Sequence, residues 1–230
     1  ALLLAAGLGT RLRPLTLTTP KCLIEINGEP LLINWLNKLE KIGCDEVLIN
    51  THYLPLQVEN AIKKWGHHNL KIKITFEEKL LGTAGTLRRN LNFFNDANVL
   101  LIHADNYTNL DLMDFLNSFH SKNKHCLLSM VTFLTDKPEK CGVVKTNNYG
   151  VLEEYYEKVS DPPSNIANGA IFAFDEDFIK VFSLFPPIYS DFCAEIIPKL
   201  KGKVQTYFTN CFFVDIGTPS SLKLAKDFCK

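Results

Sequence analysis

The stretch LLLAAGLGTRLRPLT, residues 2–16, runs apolar residues directly into two glycines, a threonine and two arginines. ALLLA (1–5) has the composition of a fully buried strand, the kind found in parallel sheets covered on both faces. A turn made only for topology needs one or two glycines and has no use for Arg11 and Arg13 on its far side. In open α/β sheets ligands bind beyond the carboxyl ends of the strands, so the loop is expected to meet an anion. Gly7 and Gly9 let backbone N–H groups approach it, Thr10 adds a hydroxyl and Arg11 a guanidinium fork. A glycine turn with solvated basic residues is the plainer alternative.

Outward from this strand the periodicity alternates. PLLINWLNKLEKIG places Leu32, Trp35, Leu36, Leu39 and Ile42 on one helical stripe that ends at Gly43. Strands are expected at 45–50, 71–76 and 98–105, and helices at 57–65 and 83–94. This order predicts a parallel sheet flanked by helices. After about residue 125 the strands come closer together, at 126–133, 142–146, 150–159 and 170–174. Helices return at 175–184 and at 191–201, the second with Ser190 as N-cap. Strands at 204–208 and 211–215 and a helix from Pro219 follow. The expected fold class is therefore α/β, a mixed but mainly parallel sheet with a more antiparallel second half. With no repeat, linker or low-complexity tract, residues 1–230 are read as one domain.

Composition excludes several classes. The 25 basic and 25 acidic residues cancel to a formal net charge of zero, which argues against nucleic acid as a partner. The seven cysteines are scattered, with no CxxC pair or zinc spacing, so a reduced, cytoplasmic setting is expected. No apolar run approaches the ~20 residues that span a bilayer, and no membrane partner is expected. The chain opens on an apolar strand without methionine, and a residue or more is expected before Ala1. GxGxxG fails at Leu12 and GxxxxGK[ST] is absent, so neither a dinucleotide fold nor a P-loop is indicated.

Further chemistry sits at two other strand ends. Asp105, in LLIHADN, and Asp215, in FFVDIGTP, could together hold Mg²⁺, which needs few protein ligands when phosphates supply the rest. Either alone reads as a turn former. Lys21 offers a second cation beside the glycine loop. In YYEKVSDPPSN, Glu157 and Lys158 should alternate across a strand and so not pair with each other. An exposed strand of mixed charge competes with a sugar-phosphate role there. His67-His68 are placed in a surface turn, and Phe93, Phe94, Phe172, Phe174, Phe212 and Phe213 in the core.

Taken together, LAAGLGTRLRPLT with a downstream PK, LGTAGTL (81–87), HADN, EK before a proline turn, ANGAIF (167–172) and VDIGTP (214–219) resemble the sugar-1-phosphate nucleotidyltransferases. The resemblance covers nearly the whole chain. It implies a Rossmann-like, GT-A-type sheet that converts an NTP and a sugar 1-phosphate into an NDP-sugar and pyrophosphate. Residues 1–125 become the nucleotide-binding half and 126–230 the sugar-binding half. The family pattern puts the NTP phosphates on Gly9, Thr10, Arg11 and Lys21. Base and ribose would be held by the backbone around Ala5, Ala6 and Gly7, with Glu78, Gly82 and Thr83. Asp105 and Asp215 match the Mg²⁺ ligands. Asn106, Gly142, Glu157, Asn168 and Gly169 match sugar or sugar-phosphate contacts, and Lys158 the sugar phosphate. Arg11, Lys21 and Lys158 carry the expected catalysis.

Cys22 stands where the family has a second proline, which should loosen the turn that aims Lys21, and His103-Ala104 vary the approach to Asp105. The stretch NTHYLPLQVE (50–59) is most similar to short guanylyltransferases acting on mannose or manno-heptose 1-phosphates, so GTP is the favoured nucleotide, in the supply of cell-surface polysaccharide precursors. Uridylyl, thymidylyl and cytidylyl transfer stay open, as do a GT-A glycosyltransferase and a silent regulatory homologue. The glycosyltransferase would normally show a DxD motif, whereas residue 103 is histidine. A monomer or homodimer is expected. The chain's end at Lys230 leaves no room for a C-terminal β-helix domain, so no second activity is expected.

Overall fold

The structure, a computed structural model, describes residues 1–66 and 69–228; His67-His68 and Cys229 lie outside the described residues. In chain order the elements are β1 (Leu2–Leu4), β2 (Glu25–Ile26), β3 (Glu29–Pro30), α1 (Leu31–Lys41), β4 (Glu46–Thr51), α2 (Pro55–Trp65), β5 (Lys71–Phe76) and α3 (Gly82–Arg89). They continue as β6 (Val99–His103), β7 (Asn106–Thr108), α4 (Leu112–His120), β8 (Leu128–Leu134), β9 (Gly142–Thr146), β10 (Leu152–Glu157) and β11 (Ile166–Phe174). The last are α5 (Glu176–Ser183), β12 (Val204–Thr209), β13 (Phe213–Asp215) and α6 (Pro219–Phe228). The residues form two compact units, one of Ala1–Leu80, Ile102–Leu112 and Phe212–Lys230, the other of Leu81–Leu101 and Met113–Cys211.

In the first unit β1, β4 and β5 pair in parallel, with Leu3 opposite Ile49 and Ile49 opposite Ile74. Leu2, Leu3 and Val47–Ile49 are fully buried, as continuous apolar strands require when both faces are covered. The residue after β6 joins this edge, Ala104 N–H donating to the Leu4 carbonyl at 3.1 Å. The α1 stripe buries Leu31, Leu32, Trp35, Leu36 and Leu39. Trp35 is anchored by its indole, whose Nε1 donates to the Asn106 carbonyl at 2.9 Å, so a core helix also fixes the segment that follows Asp105. The short antiparallel pair β7–β13 sets Asp215 opposite Asn106, and Ile216 N–H donates to the Asp105 carbonyl at 3.0 Å. Two aspartates remote in sequence are thereby made neighbours by backbone register.

In the second unit β8 pairs antiparallel with β11 and parallel with β12, while β9 pairs antiparallel with β10 and β11. The mixed sheet, parallel first and more antiparallel later, follows the expected fold class. Phe192 is the hub of an aromatic core, its ring centroid 4.9 Å from Phe172, 5.8 Å from Phe178 and 6.3 Å from Phe182. Phe192→Ala should lower unfolding free energy by about 3–5 kcal/mol in a denaturant titration; a loss near zero would show that the ring carries no packing.

Four local expectations are corrected. The helix read at 191–201 is a π-type turn, Phe192–Ile196, running into a 3-10 turn, Ile197–Leu200. Pro198 has no N–H to give and interrupts a regular ladder there. Its cap is Asp191, which accepts from Ala194 N–H at 2.8 Å, not Ser190. The helix read at 83–94 stops at Arg89 and resumes as a 3-10 turn at Leu91. Phe212 and Phe213 are only half-buried, Phe212 stacking on Phe228 at 4.1 Å. Helix α4 and strand β7 stand where no element was expected. Among the described residues no helix is long and apolar enough to cross a membrane.

Candidate active site

At the end of β1 the chain turns back on itself at Gly9, whose φ of 62° lies in the left-handed region. A Cβ there would stand 2.8 Å from Thr16 Cγ2 and 3.2 Å from Lys21 Cβ, so only glycine lets the loop close on Lys21. Thr16 fastens the closure by donating its hydroxyl to the Gly9 carbonyl at 2.7 Å. The 3-10 turn Thr10–Leu12 buries Leu12 and leaves Thr10 and Arg11 exposed. At Gly7 a Cβ would meet nothing within 4 Å. Lys21 opens a further 3-10 turn, Lys21–Leu23, after Pro20. Cys22 does not loosen this turn: Leu23 N–H donates to the Pro20 carbonyl at 2.9 Å and Ile24 N–H to the Lys21 carbonyl at 3.2 Å.

The side chains converge. Lys21, 7% exposed, sets its Nζ 2.5 Å from Asp105 Oδ2 and 2.9 Å from Asp215 Oδ1. Arg11 Nη2 lies 3.7 Å from Asp215 Oδ2. Gly217 admits this approach, since a Cβ on it would come within 2.6 Å of Arg11 Nη2 and 2.9 Å of Asp215 Oδ2. Burial works against the Lys21 charge, but Asp105 and Asp215 outweigh it and hold its pKa above the usual value. Burial likewise pushes the Asp105 carboxyl up, and the Lys21 ammonium, with His103, more than reverses it. Buried Cys22 is pushed up to about 12, so its thiol adds no anion to the cluster. Two carboxylates thus share one ammonium, with a second, two-thirds-exposed cation at the rim.

Beside the loop, Ala5 N–H donates to Asn50 Oδ1 at 2.7 Å, and Asn50 Nδ2 donates to Glu77 Oε1 at 3.0 Å. Glu77, 1% exposed, lies just past β5, and Asn50 is 4% exposed within β4. Glu78, the residue singled out from the sequence, is exposed. The Ala5 N–H is committed to Asn50, and Ala6 is buried.

In the second unit Gly82 has φ 75°, and a Cβ on it would run into the Ser190 carbonyl. Ala84 N–H donates to that carbonyl at 2.8 Å, and the Thr83 hydroxyl accepts from Phe192 N–H at 2.7 Å. Gly82 and Thr83 therefore hold the 190–192 segment against the start of α3. Glu157 closes β10 opposite Gly142 of β9. Contrary to strand alternation, Lys158 does pair with Glu157, Nζ to Oε1 at 2.7 Å. Lys158 has left the strand, with φ 50° in the left-handed region, and the turn swings its side chain back. Its pKa is raised, first by the hydrogen bond to Glu157. Asn168 and buried Gly169 sit where β11 and β8 slip in register, with Ala170 at φ 51°. Such strain costs ~1–3 kcal/mol and is concentrated at functional sites.

The nucleotidyl transferase family profile matches residues 1–230. The chain belongs to that family. It is 30% identical over 224 residues to the mannose-1-phosphate guanyltransferase of Aspergillus oryzae, covering 95% of this chain and 61% of that protein. It is 27% identical over 223 residues to the mannose-1-phosphate guanylyltransferase of Mycobacterium tuberculosis, with the same coverage. The chain thus spans about three-fifths of the length of these relatives. Its fold is that of HddC from Yersinia pseudotuberculosis, solved in complex with GMP-PN, at a TM-score of 0.81 and 23% identity over 100% of this chain and 98% of that one. A putative glucose-1-phosphate thymidylyltransferase from Bacillus anthracis aligns with a TM-score of 0.83 at 23% identity, covering 99% and 93%.

Enzymes of this family generally use a divalent metal. Among the described residues no three His, Cys, Asp or Glu side chains gather to hold one. The Asp105–Asp215 pair offers hard oxygen donors, at 34% and 49% exposure, suited to a cation that takes its remaining ligands from phosphates and water. Gly217, Asn50 and Glu77 belong to these clusters and were not singled out from the sequence. Gly217 carried a signal there as part of VDIGTP and Asn50 as part of NTHYLPLQVE, whereas Glu77 carried none.

Proposed function

We propose that the chain is a sugar-1-phosphate nucleotidyltransferase, joining an NTP to a sugar 1-phosphate with release of pyrophosphate. The observation that carries this reading is the Lys21 ammonium bracketed by Asp105 and Asp215 beneath a glycine loop that closes only at Gly9. A phosphate oxygen of the sugar phosphate attacks the α-phosphorus, and the bond to the β-phosphate oxygen breaks on the opposite side. The nucleophile is already an anion at neutral pH, so no general base is required. The barrier is the meeting of two polyanions, and the remedy is positioning and charge neutralisation.

In this scheme Gly9, Thr10, Arg11 and Lys21 hold the departing pyrophosphate, and Arg11 and Lys21 stabilise its charge. Lys158 holds the attacking phosphate, while Gly142, Glu157, Asn168 and Gly169 surround the sugar, with Asn106 beside the metal ligand Asp105. Mg²⁺ on Asp105 and Asp215 supplies further neutralisation when bound. Guanine and mannose, or a manno-heptose, are the preferred base and sugar. Support comes from the mannose-1-phosphate guanylyltransferase relatives of Aspergillus oryzae and Mycobacterium tuberculosis and from the GMP-PN complex of HddC.

Pyrophosphate release measured over GTP, UTP, dTTP and CTP, each with mannose, manno-heptose and glucose 1-phosphates, tests the whole proposal. GTP with a manno-configured sugar should turn over fastest. Fastest release with another base would overturn the substrate assignment, and no release with any pair would overturn the activity.

A further inference from the structure

The sugar-side cluster contains a buried tyrosine that the reaction scheme above does not use. Tyr155 and Glu157 lie two apart on β10 and so share a face. Tyr155 is 9% exposed, and its hydroxyl donates to Glu157 Oε2 at 2.8 Å. The same hydroxyl accepts from Asn168 Nδ2 at 3.2 Å, and that nitrogen also donates to Cys193 Sγ at 3.3 Å. The other end of the amide is fixed as well, Asn168 Oδ1 accepting from Ala170 N–H at 2.8 Å. Glu157's second oxygen, Oε1, takes Lys158 Nζ at 2.7 Å. The result is a chain of contacts from Cys193 through Asn168, Tyr155 and Glu157 to Lys158.

Gly142 makes room for it. A Cβ at that position would run into the Tyr155 hydroxyl and stand 2.7 Å from Glu157 Oε2. An aromatic ring buried on a strand needs no hydroxyl to pack, and an unbonded one is costly; here it is bonded on both sides. Burial, with nearby Cys193 and Glu157, raises the phenol pKa well above its ordinary value, so it remains a donor throughout the working pH range. Burial also raises the Cys193 thiol, which keeps that end of the chain neutral. A free glutamate side chain loses rotamer freedom when it binds. Glu157, tied at both oxygens, has lost it in advance, and preorganisation of this kind appears as affinity.

We propose that Tyr155 is a positioning residue that fixes the Glu157 carboxylate for the hydroxyls of the sugar phosphate. The inference rests on the sugar-binding reading of Glu157. Tyr155→Phe keeps the ring and removes only the hydroxyl. With mannose 1-phosphate and GTP, its KM for the sugar phosphate should rise about tenfold, while the KM for GTP and kcat stay within about twofold. In a Glu157→Gln background the same substitution should change the sugar-phosphate KM by less than about twofold, because a tyrosine acting through Glu157 has nothing left to position.

An unchanged sugar-phosphate KM in Tyr155→Phe overturns the proposal. So does a fully multiplicative effect in the double variant, or a parallel rise in both KM values with a lowered Tm, which marks a purely structural role. Calorimetric binding of mannose 1-phosphate to the parent and to Tyr155→Phe separates this inference from the reading beneath it. Equal binding to both overturns the inference alone, and no binding to the parent overturns both.

Discussion

Lys21→Met is expected to lower the rate of pyrophosphate release by about 10²–10³, the loss that follows removal of one donor aimed at developing charge. The side chain is nearly isosteric, so what disappears is the ammonium, held 2.5 Å from Asp105 and 2.9 Å from Asp215. Two consequences follow. The leaving pyrophosphate loses a fixed positive charge, and the two carboxylates lose the cation they share. Stability should therefore fall along with rate. Arg11→Ala provides the contrast: its side chain is 67% exposed and 3.7 Å from Asp215. It should cost a similar factor in turnover with little change in Tm, since exposed ion pairs contribute ~0–1 kcal/mol. Near-normal turnover in both variants would remove this mechanism.

Asp105→Asn should be at least as severe. The amide keeps the size of the carboxylate but presents a neutral oxygen, so the Asp105–Asp215 pair no longer carries enough charge for a hard divalent cation. Metal-dependent pyrophosphate release should fall by about 10² or more, as loss of a catalytic metal contribution worth several kcal/mol implies. Mn²⁺ binding followed by paramagnetic resonance provides a readout that does not depend on turnover, and its midpoint should move to higher concentration. An unchanged metal titration would exclude Asp105 as a ligand. Because Asp105 also receives Lys21, the variant must be shown by thermal melting to remain folded before its rate is compared.

Much of this molecule was legible in the sequence because it is local. Strand β5 and strand β9 have the expected limits, and the α1 stripe buries Leu32, Trp35, Leu36 and Leu39 as its 3.6-residue period selects, while Ile42 falls past the helix end and is half-buried. Glycine and charge marked Gly9, Arg11, Lys21, Asp105 and Asp215, which the Gly9 turn and the β7–β13 register gather into one cluster. What escaped depends on geometry that no short window contains. Lys158 meets Glu157 only because a left-handed residue ends the strand. Pro198 breaks the helix read at 191–201. Helix α4 is short, and its buried Leu112, Phe115 and Phe119 begin only three residues after β7. Tyr155 reads as one more apolar strand residue until Asn168 and Cys193 are brought beside it. Asn50, on β4, and Glu77, just past β5, gain meaning only through the parallel register of these two strands.

The first unit is assembled from three stretches of chain, and in sequence the two stretches of the second unit alternate with them. This interleaving sets an order for synthesis on the ribosome. Cys211 completes the second unit, whereas β13, the partner of β7, has still to emerge. Until Phe213–Asp215 pairs with Asn106–Thr108, Lys21 and Asp105 are without the third member of their cluster. These are contacts of high sequence separation, and closing them is slow relative to local helices and hairpins. The Lys21–Asp105–Asp215 cluster is therefore among the last features a nascent chain can complete, because its second carboxylate arrives only with β13.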